Sequence, residues 1–368
     1  MNNLLIQDII TAIEAHSPLH IQEEWDNCGV QVGKISDVCT GVLLCVDATP
    51  AIIDEAIEKG CNLVISHHPI LFKGLKRITG HTLVEQTVIK AITAGVTIYS
   101  CHTAIDNATN GVSWRMAQKL GLTNIATLDP QVGKMLKLSV IVPNTHADIV
   151  KVALFNAGAG QLGNYESCSF STKGEGSFKA LDGASPFVGD IMEYHIEPET
   201  RIDVILPRWL RHKVETAMID AHPYEEPAYE FIALENSSKY TGSGVVAQST
   251  TTLTPQQLIE NVKATFSSPI VRCNAFDPDV CIKRIAMCGG AGAFMIPNAI
   301  KSGAQAFITS DTRYHDFVDY AHQILIIDIG HFESEQYTKE IFYHVITEKF
   351  PNFAVYYSEK ENNPINYL

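Results

Sequence analysis

The feature that most limits what this chain can fold into is an order of apolar runs that occurs twice. Gly41–Val46 reads as a short buried strand, Thr49-Pro50 caps and opens a helix reaching Lys59, and Gly60 stops it. Asn62–Ser66 then reads as a second strand. Strand, helix and strand joined by short links form the βαβ unit of a parallel sheet. The same grammar returns with Arg284–Cys288 as strand, Ile296–Lys301 as helix, Gly303 as stop and Ala306–Ser310 as strand. Aligning Ser66 with Ser310 brings Cys45 and Cys288 to within one residue of register. Each half then adds a strand ending in histidine, Val96–His102 and Ile324–His331, with a carboxylate four residues on, Asp106 and Glu335. This predicts a duplicated α/β core with parallel or mixed sheets, preceded by an amphipathic helix over residues 4–15.

Between the halves the texture changes. Lys137–Pro143 and Thr200–Pro207 alternate like half-exposed strands, and each precedes a helical stretch, Ala147–Ala157 and Arg211–His222. Between them lies a Gly- and Ser-rich stretch, Gly160–Gly189, with hairpin-like turns. The prediction is an α+β domain inserted at 134–239 into a core formed by 1–133 and 240–368. Tyr240–Gly244 reads as the return linker, and Thr254-Pro255 as the cap of another helix.

The net charge of -14 opposes nucleic-acid binding, because the densest positive stretch is only Lys73, Lys76 and Arg77. Nine cysteines without a Cys-x-x-Cys pair, most of them inside apolar runs, suit small buried side chains in a reducing compartment. With no signal-peptide pattern and no apolar run near the roughly 20 residues a membrane helix needs, a cytoplasmic location is expected.

Ser66-His67-His68-Pro69 is the sharpest chemical feature. Polar residues at the carboxyl end of a buried parallel strand face the crevice where open α/β sheets bind ligands. Pro69 disfavours helical geometry at His68, so the two rings leave an extended backbone in different directions and suit two neighbouring ions. Residues four apart on a helix share a face, so a helix starting near His331 brings His331 and Glu335 together and turns Glu333 elsewhere. His102 and Asp106 repeat that spacing. Nitrogen plus carboxylate ligands suit zinc, manganese, iron, nickel or cobalt. Two such ions about 3.5–4 Å apart activate a water and clamp attacking and leaving oxygens, with assistance from His102 or Glu333. Other readings remain beside these: structural loop histidines, and Gly289–Gly292 as either a phosphate cradle or a tight turn. Arg313 or His315 could touch an anion, and Glu24–Asn27 could line the site, with Trp25 as a core anchor.

Trp25-Asp26-Asn27-Cys28-Gly29, Ser66-His67-His68-Pro69, His102–Asp106 and Gly330–Glu335 resemble the motifs of the GTP cyclohydrolase I type 2 family, also called Nif-three-like. Gly163–Tyr165, Gly176–Phe178 and His222–Glu226 are similar to segments of its longer members' extra domain. The resemblance implies two divalent metal ions per chain on His67, His68, Asp106, His331 and Glu335, with His102 at the site. It also implies a toroidal homohexamer and an inserted ferredoxin-like domain of the small trimeric signalling-protein type. Gly242–Val246 departs from the family's Gly-Arg pattern. The favoured reading is a metal-dependent hydrolase of a nucleotide or another phosphorylated, anionic small molecule. A non-enzymatic metal-dependent sensor or adaptor, whose inserted domain binds a regulator, is one rival. A nucleic-acid-binding ring, opposed by charge, is the other.

Overall fold

The computed structural model describes residues 4–238 and 241–367. Two compact units emerge, one from 1–130 with 239–368 and one from 131–238.

The first unit contains two sheets built on one plan. In the first sheet, Leu63–Ser66 lies between Val42–Cys45 and Thr97–Ser100, all parallel. Val355–Tyr357 extends one edge in parallel, and Gly29–Val32 closes the other antiparallel. In the second sheet, Ala306–Thr309 lies between Ile282–Met287 and Leu325–Asp328, again all parallel. Antiparallel strands extend it on both sides, Arg272–Cys273 at one edge, and Gly242–Leu253 followed by the edge strand Thr123–Pro130 at the other.

The central strands are buried on both faces, which is why they read as unbroken apolar runs. Side chains alternate faces along a strand, and the partition follows. Leu44, Ile65 and Tyr99 enter one core with Met287, Ile308 and Ile327 of the other sheet. Leu43, Val64 and Ile98 instead pack beneath the helices Pro50–Glu58 and Leu83–Ala94, beside Ile52, Val88 and Ala91. Ala286, Phe307 and Ile326 meet Ile296 and Ala299 on the second sheet's outer face. Each fully buried aliphatic side chain contributes roughly 1.5–3 kcal/mol, so the shared core holds the two halves together.

Local signals set the helix starts. Thr49 accepts a hydrogen bond from the Ile52 N–H, and Thr254 forms a capping box with Gln257. The opening helix spans Ile6–His16. No helix of the described residues is long and apolar enough to cross a membrane.

The second unit runs strand, helix, strand, strand, helix, strand. Its strands are Met135–Pro143, Ser169–Lys179, Tyr194–Pro207 and Tyr229–Leu234. Their spatial order is second, third, first, fourth, with every pairing antiparallel, the order of a split βαβ unit. Leu138, Val140, Ile202 and Val204 pack against Val150, Leu154, Val214 and Met218 of the helices Ala147–Asn156 and Arg211–Ala221.

Within Gly160–Gly189 lies the 11-residue strand Ser169–Lys179, exposed nearly throughout and so without an apolar period, which forms an antiparallel hairpin with Tyr194–Pro207. Gly242–Gly244 is not a linker but the start of the 12-residue strand Gly242–Leu253, paired on both sides. Tyr240, at the head of that expected linker, lies outside the described residues, as does Lys239 at the expected end of the insertion.

Candidate metal centre

Both parallel triplets send their carboxyl ends to one place. His67 and His68 follow Leu63–Ser66, whose Ser66 hydroxyl bonds that of Ser100 at 2.8 Å. Asp106 ends the short helix Thr103–Asp106 after Thr97–Ser100, and His331 and Glu335 bound the helix His331–Glu335 after Leu325–Asp328. The two halves meet here. His68 Nε2 faces His331 Nε2 at 3.3 Å, and Glu335 Oε2 lies 3.0 Å from each. His67 Nε2 lies 3.5 Å from Glu335 Oε1 and 3.8 Å from Asp106 Oδ1.

Each histidine is held from behind. Nδ1 of His68 meets Asp47 at 2.9 Å, that of His331 meets Asp311 at 2.8 Å, and that of His102 meets Asp26 at 3.0 Å. His67 Nδ1 meets the Cys101 carbonyl at 3.1 Å. These oxygens only accept, so each Nδ1 carries a proton and donates, and every Nε2 is turned to the interior of the cluster. Metal-ligating histidines are oriented in this way, by an oxygen behind the ring.

The interior is under-satisfied. His67 Nε2, Asp106 Oδ1 and Glu335 Oε2 are buried without an aligned hydrogen bond, although Glu335 Oε2 is close to two ring nitrogens. Buried polar atoms without a partner are costly, and a cation supplies the missing one. Ligand atoms of His67, His68 and His102 lie within 4.8 Å of one another, as do those of His68, His331 and Glu335. These donors fit a divalent cation.

Electrostatics agree. Burial disfavours charge on His68 and His331, but Asp47 and Glu335 outweigh it and push His68 up to about 10. Glu335 and Asp311 push His331 up to about 9. Burial alone would raise Glu335, yet His67, His331 and His68 hold it well below the usual carboxylate range. Burial raises Asp106. These are carboxylates and imidazoles sharing protons that a bound cation displaces.

The surroundings sort the remaining predictions. Glu333 points away from the cluster, accepting from Asn363 at 2.8 Å beside Gly330 and Tyr367. Its place two residues after His331 turns it to another helix face, and this counts against an assisting role. Trp25 is not a core anchor: it is 60% exposed, with its ring 5.7 Å from Phe72 and 5.9 Å from His102. The amides of Gly289, Gly290 and Gly292 donate to Ser113, Ser334 and Thr309, so the glycine turn has spent these donors internally. Gly290 has φ +64, and a Cβ there would stand 2.2 Å from Glu335 Oε1. Arg313 and His315 are exposed and lie outside the cleft lining. That cleft, about 620 Å³, opens beside the cluster and is lined by Trp25, Phe72, Phe294, Asp129 and Ser243 among others, with no Lys or Arg among the described residues.

Asp47 was not anticipated as part of the site. It carries the same signal as the histidines, a polar residue just past a buried parallel strand, Val42–Cys45.

Fold and cluster define a class: duplicated α/β proteins whose halves join at a histidine–carboxylate centre able to hold metal. The model of the Duf34/NIF3 (NGG1p interacting factor 3) family matches residues 4–364, and the chain belongs to that family. A Halalkalibacterium halodurans protein named GTP cyclohydrolase 1 type 2 homolog is 38% identical over 327 residues, 88% of each chain. A Bacillus subtilis protein of the same name is 33% identical over 371 residues, 98% of each chain. Among solved structures, a Bacillus cereus protein related to NIF3 covers 100% of both chains at 32% identity, with a TM-score of 0.83.

Proposed function

We propose that this protein binds two divalent metal ions and hydrolyses a nucleotide or another phosphorylated small molecule. The observation that carries the reading is the pair of overlapping donor triads, His67/His68/His102 and His68/His331/Glu335, which share His68. His67, His68, Asp106, His331 and Glu335 would hold the ions, with His102 beside them. When bound, such ions lower the pKa of water and neutralise charge developing on phosphoryl or carbonyl oxygens. The chain's own residues do the positioning. Asp47, Asp311 and Asp26 fix the rings, while the cleft beside them offers the aromatic surfaces of Trp25, Phe72 and Phe294 to a substrate. Among the described residues the cleft lining carries carboxylates and no Lys or Arg, so an anionic substrate finds its counter-charge in the ions. GTP is the first substrate to try, because the relatives carry its name. The family resemblance supports a ring-shaped homohexamer, and nine unpaired cysteines suit a reducing, cytoplasmic setting.

Elemental analysis of purified wild type and of a His67→Ala/His331→Ala variant tests the centre. About two ions per chain, clearly fewer in the variant, is the expected result. No metal in either, after reconstitution with zinc, manganese or iron, sinks it. Hydrolysis of GTP or other phosphorylated compounds by loaded wild type, abolished in His68→Ala, separates an enzyme from a sensor that binds without turnover.

A further inference from the structure

The inserted unit contains a second chemically distinctive cavity, lined by none of the residues of the histidine cluster. In its sheet, Val140, Val142, Ile202 and Val204 face the two helices, so Ile141 and Glu199 fall on the opposite face. Such a face is usually left to solvent. Here the segments Ala180–Phe187 and Tyr224–Ala228 roof part of it, enclosing about 430 Å³, a volume suited to a small molecule.

Three rings and a buried carboxylate define the interior. Tyr224 lies 6.1 Å from Phe178 and 6.3 Å from Phe187, between centroids. Phe187 is 48% exposed and stands at the mouth. Glu199 is only 7% exposed; its Oε1 accepts from the Tyr224 hydroxyl at 2.8 Å, and among the described residues no side chain or amide donates to its Oε2. Gly176, diagonal to it on the neighbouring strand, leaves it room: a Cβ there would come within 1.7 Å of Glu199 Oε2, so the carboxylate occupies space that any other residue would fill. Glu225 and Glu226 also line the cavity, which has no Lys or Arg among the described residues.

A half-satisfied carboxylate in apolar surroundings needs a positive partner with N–H groups. The faces of aromatic rings favour a cation as well. Anions meet three carboxylates, and neutral ligands leave the Glu199 charge uncompensated. We infer that the inserted unit binds a small primary alkylammonium ion, with the ammonium on Glu199 and the alkyl chain among Phe178, Phe187 and Tyr224. This site stands independently of the metal centre and gives the protein a route to sense an amine metabolite.

Calorimetric titration of the full chain with n-butylammonium chloride, and separately with n-butanol, tests it at fixed ionic strength. The ammonium should bind, and the alcohol, matched in chain length but uncharged, should bind at least about tenfold more weakly. Glu199→Gln keeps an acceptor for Tyr224 while removing the charge, and should cost n-butylammonium at least about tenfold in affinity with an unchanged melting temperature. Phe187→Ala, at the exposed mouth, should weaken it by about three- to tenfold. No binding to wild type, equal binding of the alcohol, or wild-type affinity in Glu199→Gln overturns the assignment.

Discussion

Replacing Gly290 with alanine should damage metal binding far more than stability, and the structure gives both magnitudes. The added Cβ would stand 2.2 Å from Glu335 Oε1. Ordinary contact begins near 3.4 Å, so the carboxylate must retreat by about 1 Å. Ligand geometry tolerates only about 0.5 Å, and that displacement exceeds it. The left-handed backbone adds about 1–2 kcal/mol for any residue with a Cβ. Gly303 supplies the control. Its φ is +77, but nothing lies within 4 Å of the added atom, so Gly303→Ala carries the backbone cost alone. Both variants should lose about 1–2 kcal/mol in denaturant unfolding with chelator present. Only Gly290→Ala should lose metal affinity, by at least about tenfold, in competition against a chromophoric chelator. Wild-type affinity in Gly290→Ala, or equal loss in Gly303→Ala, would refute the argument that glycine is there to make room for the carboxylate.

Other perturbations probe the same centre and its surroundings. Asp47→Asn and Asp311→Asn each weaken the hold on one ring and should reduce metal affinity about 10–100-fold, read by the same competition, with folding intact. Saturating metal should raise the unfolding free energy of wild type, by about 2.7 kcal/mol at a hundredfold excess over Kd, and leave the His67→Ala/His331→Ala variant unmoved. His68 and His331 are raised to about 10 and about 9, so their stabilisation of the metal-free protein is complete below the ordinary histidine value and fades as pH rises through 9 to 10. Metal competes with those same protons, so affinity should climb between pH 6 and 9; a flat profile would contradict it. Glu85 is held down to about 2 by the Thr79 hydroxyl and the Thr79 and His81 amides. Its contribution is present above about pH 4.5 and lost as pH falls toward 2, a dependence that Glu85→Gln should flatten in acid unfolding.

By itself the sequence determined those parts of the molecule whose physical cause is local. A central strand buried on both faces has to be continuously apolar, so Leu63–Ser66 and Ala306–Thr309 could be read directly. Thr49-Pro50 and Thr254-Pro255 announce helix starts because a cap acts over three residues. The four-residue interval from His331 to Glu335 needs only one helical turn to place both on one helix face. Tertiary structure alone decided everything that depends on a distant partner. Ser169–Lys179 is a strand because Tyr194–Pro207 pairs with it, not because its own side chains seek burial. Gly242–Gly244 looks like a linker until the strand it opens, Gly242–Leu253, is flanked by Thr123–Pro130 and Ile282–Met287. Asp47 and Asp311 became part of the centre only when the chain brought their carboxylates behind His68 and His331. Those two rings, 263 residues apart in sequence, meet because neither sheet can bury its inner face without the other. The shared apolar core therefore sets the geometry of the polar site, and that geometry is a property of the packed pair of sheets.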